Sequence, residues 1–347
     1  MGSGTARDPK HDGLNKPDAE LLRIRLCDLA LRIEDSEIGP LIEQLWRELG
    51  ERGLKFRPQC YLSTEWFVEQ GETCIGIPFF LAHPKLMRLE RRQVLDVEGA
   101  SADEAMRILR HEAGHAVDYA YRMKRSRGRR EIFGSSSTPY PENYTPRPHS
   151  HGFVRHLDNW YAQSHPDEDF AETFAVWLTP HSAWGERYRN WKGALRKLQW
   201  MDARMTKLRG QDVRVQSGAM PHAIAADQRT LQDFYDQRLA ALAEETSPEY
   251  VDGDLRKIFA GRSGNPSAEK AADYIRKNRK RLREVVARWS GLKKYNVDHM
   301  LSAMTATCRE LDLVRTAPED ATLSNLAACC VALSKNYLFA GRFSMSS

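Results

Sequence analysis

The segment 101–121 constrains the fold of this chain more than any other, because its pattern predicts one long helix. Ser101 and Glu104 have the spacing of a capping box, an arrangement that starts many helices. Within such a helix, His111 and His115 lie four positions apart and therefore face the same side. Apolar residues recur through the segment at helical intervals: Ala105, Met106, Ile108, Leu109, Ala113, Ala116, Val117 and Ala120.

The two histidines belong to the run His111-Glu112-Ala113-Gly114-His115. At this spacing two imidazoles can bind one metal ion, and the glutamate between them lies beside the metal, where it can accept a proton from bound water. This is the H-E-x-x-H arrangement of zinc hydrolases. Because the motif is short, two histidines that only hydrogen-bond inside a core are the alternative; the helical context and a downstream ligand favour the metal site.

The motif requires a third ligand elsewhere, because a catalytic zinc ion takes three protein ligands and keeps one position for water. The H-E-x-x-H-x-x-G-x-x-H form is excluded, since Asp118 and Tyr121 stand where its glycine and third histidine would be. The third ligand must therefore come from another segment of the chain.

A second helix is predicted over 164–178. Ser164 can cap its start, Pro166 suits its first turn, and Thr179 with Pro180 stops it. Its apolar residues form a stripe at helical spacing: Phe170, Ala171, Phe174, Ala175, Trp177 and Leu178.

Four acidic residues lie in this second helix. Glu168 and Glu172 are one turn apart on a shared edge, so the spacing alone allows either to be the third metal ligand. Asp167 and Asp169 lie near the positive end of the helix dipole, and they are predicted to be helix-start or solvent-facing charges.

With these two segments the chain resembles a bacterial group of zinc-binding metallopeptidases and, more distantly, the catalytic domain of lethal-factor-type toxin proteases. The resemblance rests on the motif at 111–115, on 158–178 and on the Tyr-Pro-rich stretch 133–148 between them, and it covers about residues 20–205. The interval between the two helices is much longer than in thermolysin itself, so the intervening segment is expected to be an insertion that shapes the cleft.

The resemblance implies roles for particular residues. In the thermolysin-like class, the gluzincins, the first carboxylate of a helical E-x-x-x-[D/E] pattern binds the metal and the second orients a metal histidine. This implies Glu168 as ligand and Glu172 as the partner of His111, while the reverse assignment stays open. A tyrosine seven positions before the ligand faces the metal water in the toxin-like relatives, which implies that Tyr161 stabilises the oxyanion, unless it only packs beside Trp160.

The expected fold class is α+β. A zincin-like catalytic domain, with a small edge sheet and the metal helix, is expected over 19–208, after a disordered segment at 1–18. A linker at 209–221 and an almost wholly helical accessory domain at 222–347 complete the chain. The segment 74–80 is predicted to be a strand that its proline confines to an edge, where a substrate could pair with it; an ordinary half-buried strand is the alternative.

Hydrophobic periodicity predicts further elements. In the catalytic part these are helices over 21–33, 38–49 and 184–208 and short strands over 54–57 and 60–63. In the accessory domain they are helices over 231–243, 268–289, 297–313 and 323–338.

Composition sets limits on the function. The chain has 347 residues, of which 41% are hydrophobic, enough for a sizeable core and two domains. Its net charge of +5 argues against a dedicated nucleic-acid-binding protein. The basic runs at 122–130 and 276–283 are interpreted as solvated surfaces, and a patch for acidic or nucleic-acid-bound substrates is the alternative.

The cellular setting is predicted from signals that the sequence lacks. The six cysteines include no C-x-x-C pair, which indicates buried thiols in a reducing compartment. No stretch is long enough to span a membrane, and the N-terminus carries no secretion signal. A cytoplasmic protein with no membrane association is therefore expected, with export by a route that needs no cleavable signal left open.

The sequence thus predicts a zinc-dependent peptidase that hydrolyses protein or peptide substrates. Glu112 is the expected general base and Tyr161 the expected oxyanion donor, while His111, His115 and Glu168 bind the metal and Glu172 orients His111. Two alternatives stay open: an inactive zinc-binding protein, and a nucleic-acid-associated module that acts through the basic helices of the C-terminal part.

Overall fold

The computed structural model describes residues 14–141, 144–245, 251–262 and 267–340. The structure is mostly helical, with 58% helix and 5% strand, and it contains a small parallel sheet of two strands. The chain is therefore α+β in the broad sense predicted from the sequence.

The described residues form two compact units. The boundary between them lies in the helix Leu231–Glu245, between Tyr235 and Asp236. The first unit contains nearly all described residues before this boundary. The second contains the described residues from Asp236 onward, together with the short segments at 94–96 and 144–145.

The segment 209–221, predicted as a linker, belongs to the first unit. Arg214 and Val215 both donate their backbone N–H groups to the carbonyl of Ala120, at 2.9 and 3.0 Å. Because compactness does not test independent folding, the predicted domain boundaries at 208 and 222 stay a prediction. Of the predicted disordered segment 1–18, residues 1–13 lie outside the described part, whereas Leu14 is buried.

The first unit contains eight α-helices among its described residues, and a ninth begins in it. Their bounds are α1 Asp18–Leu21, α2 Ile38–Glu51, α3 Pro84–Gln93, α4 Ala102–Ala120, α5 Arg127–Phe133, α6 Pro166–Leu178, α7 Trp184–Arg187, α8 Lys192–Leu208 and α9 Leu231–Glu245. Short 3₁₀ turns lie between them at Leu26–Asp28, Phe79–Ala82, Met123–Arg125, Tyr161–Gln163 and Ile224–Ala226.

Two helical predictions in this unit are wrong. The apolar pattern of 21–33 does not form one helix, because the backbone N–H groups of Leu26 and Cys27 bond to the distant carbonyls of Arg229 and Asp227. The predicted single helix over 184–208 is divided into α7 and α8 by a turn at 188–191. In both places long-range contacts override a local pattern.

A small sheet accompanies the helices of the first unit. Strands β1, Cys60–Ser63, and β2, Ile75–Pro78, pair in parallel, with Cys60 opposite Ile75. The segment 54–57, for which the sequence also suggests a strand, forms none.

The predicted role of β2 as a free edge for substrate is wrong. Gly76 exchanges both backbone hydrogen bonds with Phe67 on the side away from β1. Pro78, the next residue that faces that side, has no N–H to offer. This side of the strand therefore has no free donor with which an incoming peptide could pair.

The second unit is helical apart from a two-residue hairpin. Its helices are α10 Asp252–Ile258, α11 Ala271–Ser290, α12 Lys294–Glu310 and α13 Glu319–Ala340, and β3, Ala260–Gly261, pairs antiparallel to β4, Leu313–Val314. A separate apolar core holds these elements together. The predicted helices over 268–289, 297–313 and 323–338 are thereby confirmed to within a few residues at each end.

The basic series on α11 is partly neutralised. Arg279 and Arg283 both contact Asp298 of α12, at 2.6 and 3.0 Å, and Arg276 pairs with Asp273 on its own helix. Fewer charges of α11 are thus available to a nucleic acid than its sequence suggests.

No helix among the described residues has the length and apolar character to cross a membrane. All six cysteines are free thiols.

Buried ion pairs surround the start of α6. Arg129 of α5 is 0% exposed and contacts Asp118 of α4 at 3.0 Å and Asp167 at 2.6 Å. Lys124 also contacts Asp167, and Lys197 of α8 contacts Asp169 at 2.7 Å. Both aspartates lie in the first turn of α6, as predicted. The alternative prediction, that they face solvent, is wrong, since each is buried against a cation from another element.

Removing Arg129 should destabilise the first unit strongly. The substitution Arg129→Met leaves Asp118 and Asp167 buried without this cation, and breaking a buried pair in this way costs about 3–5 kcal/mol. Arg127→Met is the matched control, because its pair with Glu131 is exposed and contributes at most about 1 kcal/mol. Urea unfolding followed by circular dichroism measures both, and equal losses would contradict this account.

Candidate metal centre

Helix α4 presents the two motif histidines to the same point. Ser101 caps the helix by accepting the N–H of Glu104, as predicted. His111 is 2% exposed, and its Nε2 lies 3.2 Å from the Nε2 of His115. Their rings meet nearly edge to face, with an interplanar angle of 76°. Two ring nitrogens thus converge from consecutive turns of one helix.

Helix α6 brings a carboxylate to the same point. Glu168 Oε2 lies 3.0 Å from His111 Nε2 and 3.2 Å from His115 Nε2. Among the described residues, this is the one group of three or more His, Cys, Asp or Glu side chains whose ligand atoms all lie within 4.8 Å of one another. The two helices predicted from the sequence therefore meet at the predicted residues.

The separations of these three atoms fit a tetrahedral divalent metal. Ligands at the usual zinc distance of about 2.0–2.1 Å lie about 3.3 Å apart in a tetrahedron. The observed separations of 3.0, 3.2 and 3.2 Å are close to this value. A metal ion would therefore require only small outward shifts of the three side chains.

Glu172 lies on the other side of His111. Its Oε1 is 2.9 Å from His111 Nδ1, and its Oε2 accepts the backbone N–H of Leu157 at 2.9 Å. Because both oxygens are engaged and the side chain is 0% exposed, Glu172 is arranged to orient the imidazole. The implied division of roles between Glu168 and Glu172 matches this geometry, while the ligand assignment itself stays a prediction.

The charges at the site favour ionised carboxylates. Burial raises the pKa of Glu168, but the charge of His115 and hydrogen bonds from both histidines outweigh it and hold the pKa far below its ordinary value. Burial also raises the pKa of Glu172, but hydrogen bonds from His111 and Leu157 and the charges of His111 and His156 together outweigh it and lower the pKa. For His111, burial lowers the pKa, yet hydrogen bonds to Glu168 and Glu172 raise it overall.

The two residues expected to act on substrate lie beside these groups. Glu112 is 8% exposed, and burial raises its pKa despite the nearby charges of His111 and His115. Tyr161 begins a 3₁₀ turn, and its ring centroid lies 5.6 Å from that of His111. The structure thus puts Tyr161 against the imidazole of His111, while its expected role at the oxyanion stays a prediction.

Two residues of the site were not foreseen. Tyr140 donates its hydroxyl to Glu168 Oε1 at 2.8 Å, although it comes from a loop with no periodicity to align it with either helix. His165, rather than the predicted Ser164, caps α6 by accepting the N–H of Asp167. Pro166 is the sequence signal that could have suggested this cap, because proline favours the first helical position and makes the residue before it the N-cap.

The motif glycine sets the distance between the two helices. A Cβ atom on Gly114 would lie 2.8 Å from the Cα of Ala171, which is backbone and cannot rotate away. The backbones of α4 and α6 therefore approach more closely than any residue other than glycine allows at this position.

Gly114→Ala should separate the helices and weaken metal binding. Overpacking of this kind costs about 1–3 kcal/mol, and it moves Glu168 away from the histidines. Gly50→Ala in α2 is the control, because nothing lies within 4 Å of its added Cβ, and it should keep or raise stability. Unfolding midpoints and zinc affinity are measured for both variants. Unchanged zinc affinity in Gly114→Ala would show that this contact does not set the site's geometry.

Comparisons of the chain with models of protein families, with curated proteins and with solved structures found no match. The resemblance to zinc-binding metallopeptidases therefore continues to rest on the motif residues themselves.

Proposed function

We propose that this protein is a zinc-dependent peptidase with a gluzincin-like, zincin-type catalytic unit. One observation carries the proposal: His111 Nε2, His115 Nε2 and Glu168 Oε2 converge within 3.2 Å of one another from two packed helices. Two imidazoles and one carboxylate are the ligand set of catalytic zinc in several peptidases, whereas structural zinc sites usually have four ligands rich in cysteine.

The residue between the histidines supports a hydrolytic role. When bound, zinc would lower the pKa of a ligated water toward 7 and polarise a substrate carbonyl. Glu112 is buried beside the site, and its raised pKa brings this carboxylate closer to the operating pH of a general base. In the proposed reaction Glu112 accepts the water proton and then donates it to the leaving amine.

The other residues orient these groups. Glu172 holds Nδ1 of His111, so that the Nε2 lone pair faces the metal position. Tyr161 lies beside the same imidazole, and we propose that its phenol donates to the carbonyl oxygen as this oxygen becomes negative. The proposed substrates are proteins or peptides.

Metal binding and cleavage are tested together. The purified protein is stripped of metal with a chelator, titrated with zinc, and incubated with a cell lysate whose new peptide ends are mapped by mass spectrometry. The proposal expects one zinc ion per chain and new ends that appear only with the metal present. Zinc binding without new ends would instead favour an inactive zinc-binding protein, and failure to bind zinc would overturn the proposal.

A further inference from the structure

The loop that precedes α6 carries a tyrosine whose hydroxyl contacts the carboxylate of Glu168. Tyr140 is 59% exposed as a whole, yet its hydroxyl lies 2.8 Å from Glu168 Oε1. The other oxygen of this carboxylate, Oε2, is the atom that faces His111 and His115. The two oxygens of Glu168 therefore have different partners.

The phenol is the donor in this contact. A phenol carries a proton and an ionised carboxylate can only accept, so the Tyr140 hydroxyl donates to Glu168 Oε1. A carboxylate oxygen that accepts a hydrogen bond of this length has one lone pair fewer for a metal ion.

His165 holds the loop that carries this tyrosine. Its Nδ1 accepts the N–H of Asp167 at 3.1 Å, so the ring proton is on Nε2, which donates to the carbonyl of Thr138 at 2.8 Å. The same ring stacks on Tyr140, with centroids 3.7 Å apart and planes 15° apart. The N-cap of α6 thereby fixes the tyrosine relative to Glu168, which lies on the first turn of the same helix.

We propose that Tyr140 is a positioning residue of the metal centre, that it restricts Glu168 to binding through Oε2 alone, and that His165 acts through Tyr140. This inference rests on the proposed zinc site. Without the phenol, Glu168 can rotate or offer both oxygens, which would occupy the position that a catalytic site keeps for water. Tyr161 has a separate function in this arrangement, because its ring lies against His111.

Tyr140→Phe tests the role of the hydroxyl, because it removes the hydrogen bond and keeps the ring that stacks on His165. We expect the zinc dissociation constant, measured by competition with a chromophoric chelator, to rise about 10–100-fold, as for other partners of metal ligands. With cobalt in place of zinc, visible absorption should weaken as the carboxylate adds its second oxygen. Tyr274→Phe is the control, since its hydroxyl donates a 2.9 Å hydrogen bond to the backbone carbonyl of Glu319 in the second unit.

The role of His165 is tested in a double-mutant cycle. His165→Ala should weaken zinc binding in the wild-type background and have no further effect when Tyr140 is already phenylalanine. Additive losses would overturn the claim that His165 acts through Tyr140.

The outcomes separate this inference from the proposed function. If Tyr140→Phe binds zinc as tightly as wild type and its cobalt spectrum is unchanged, the inference fails while the zinc site stands. If wild-type protein itself does not bind zinc, the proposed function fails and this inference fails with it.

Discussion

Glu112→Gln is expected to keep the metal and lose the reaction. The amide has nearly the same size as the carboxylate, but it cannot accept a proton from water at neutral pH. Because a positioned general base contributes about 10²- to 10⁴-fold to rate, kcat should fall by a factor in this range while zinc content stays at the wild-type level. Both quantities are measured on the same protein batch, by metal analysis and by cleavage of a peptide found in the lysate experiment.

Glu104→Gln is the matched control for this variant. It makes the same chemical change on the same helix, in the first turn rather than beside the histidines. It should leave both zinc content and kcat unchanged. If Glu112→Gln cleaves the peptide at the wild-type rate, Glu112 is not the base and the proposed mechanism is wrong.

Removal of a proposed metal ligand should have a different effect from Glu112→Gln, because the protein should then lose the zinc ion itself. His111→Ala and Glu168→Ala each take away one of three converging atoms, and we expect the purified variants to carry almost no zinc. Glu172→Ala instead removes only the hydrogen bond to His111 Nδ1. This variant should bind zinc about 10–100-fold more weakly, and its site should still be occupied at high zinc concentration.

This series also decides between the two glutamates. If Glu168→Ala keeps a normal zinc content while Glu172→Ala carries no zinc, Glu172 is the ligand instead of Glu168. Thermal unfolding of each variant is recorded with the metal analysis, so that loss of zinc through unfolding is distinguished from loss of a ligand. A variant that unfolds at the same temperature as metal-free wild type and binds no zinc has lost a ligand and nothing else.

The elements of the site were predictable because local patterns specify them. Helix α4 begins at a capping box and has an apolar face, so its boundaries and the shared side of His111 and His115 follow from spacing. The position of Glu168 followed only from a resemblance, because no local rule brings a residue on another helix to a given histidine.

The contacts between elements could not be predicted in this way. Asp167 and Asp169 have the sequence signature of helix-start charges, and only the fold reveals the buried cations Lys124, Arg129 and Lys197 that they meet. The contact of Tyr140 with Glu168 could not be predicted for a related reason. A loop has no regular repeat, so its sequence does not show which way a side chain points. The strand β2 was predicted correctly, but its role as a free edge failed because Phe67, eight residues before it, had not been identified as its partner.

The buried ion pairs around α6 have a consequence for how the proposed zinc site would be loaded. Asp118 on α4 and Asp167 on α6 both pair with Arg129, so protein side chains alone join the two helices that carry the proposed ligands. These pairs should hold the two helices together before any zinc binds, so withdrawal of zinc should abolish the proposed activity while leaving the fold intact. Availability of the metal in the surroundings would then act as a reversible switch on a folded protein.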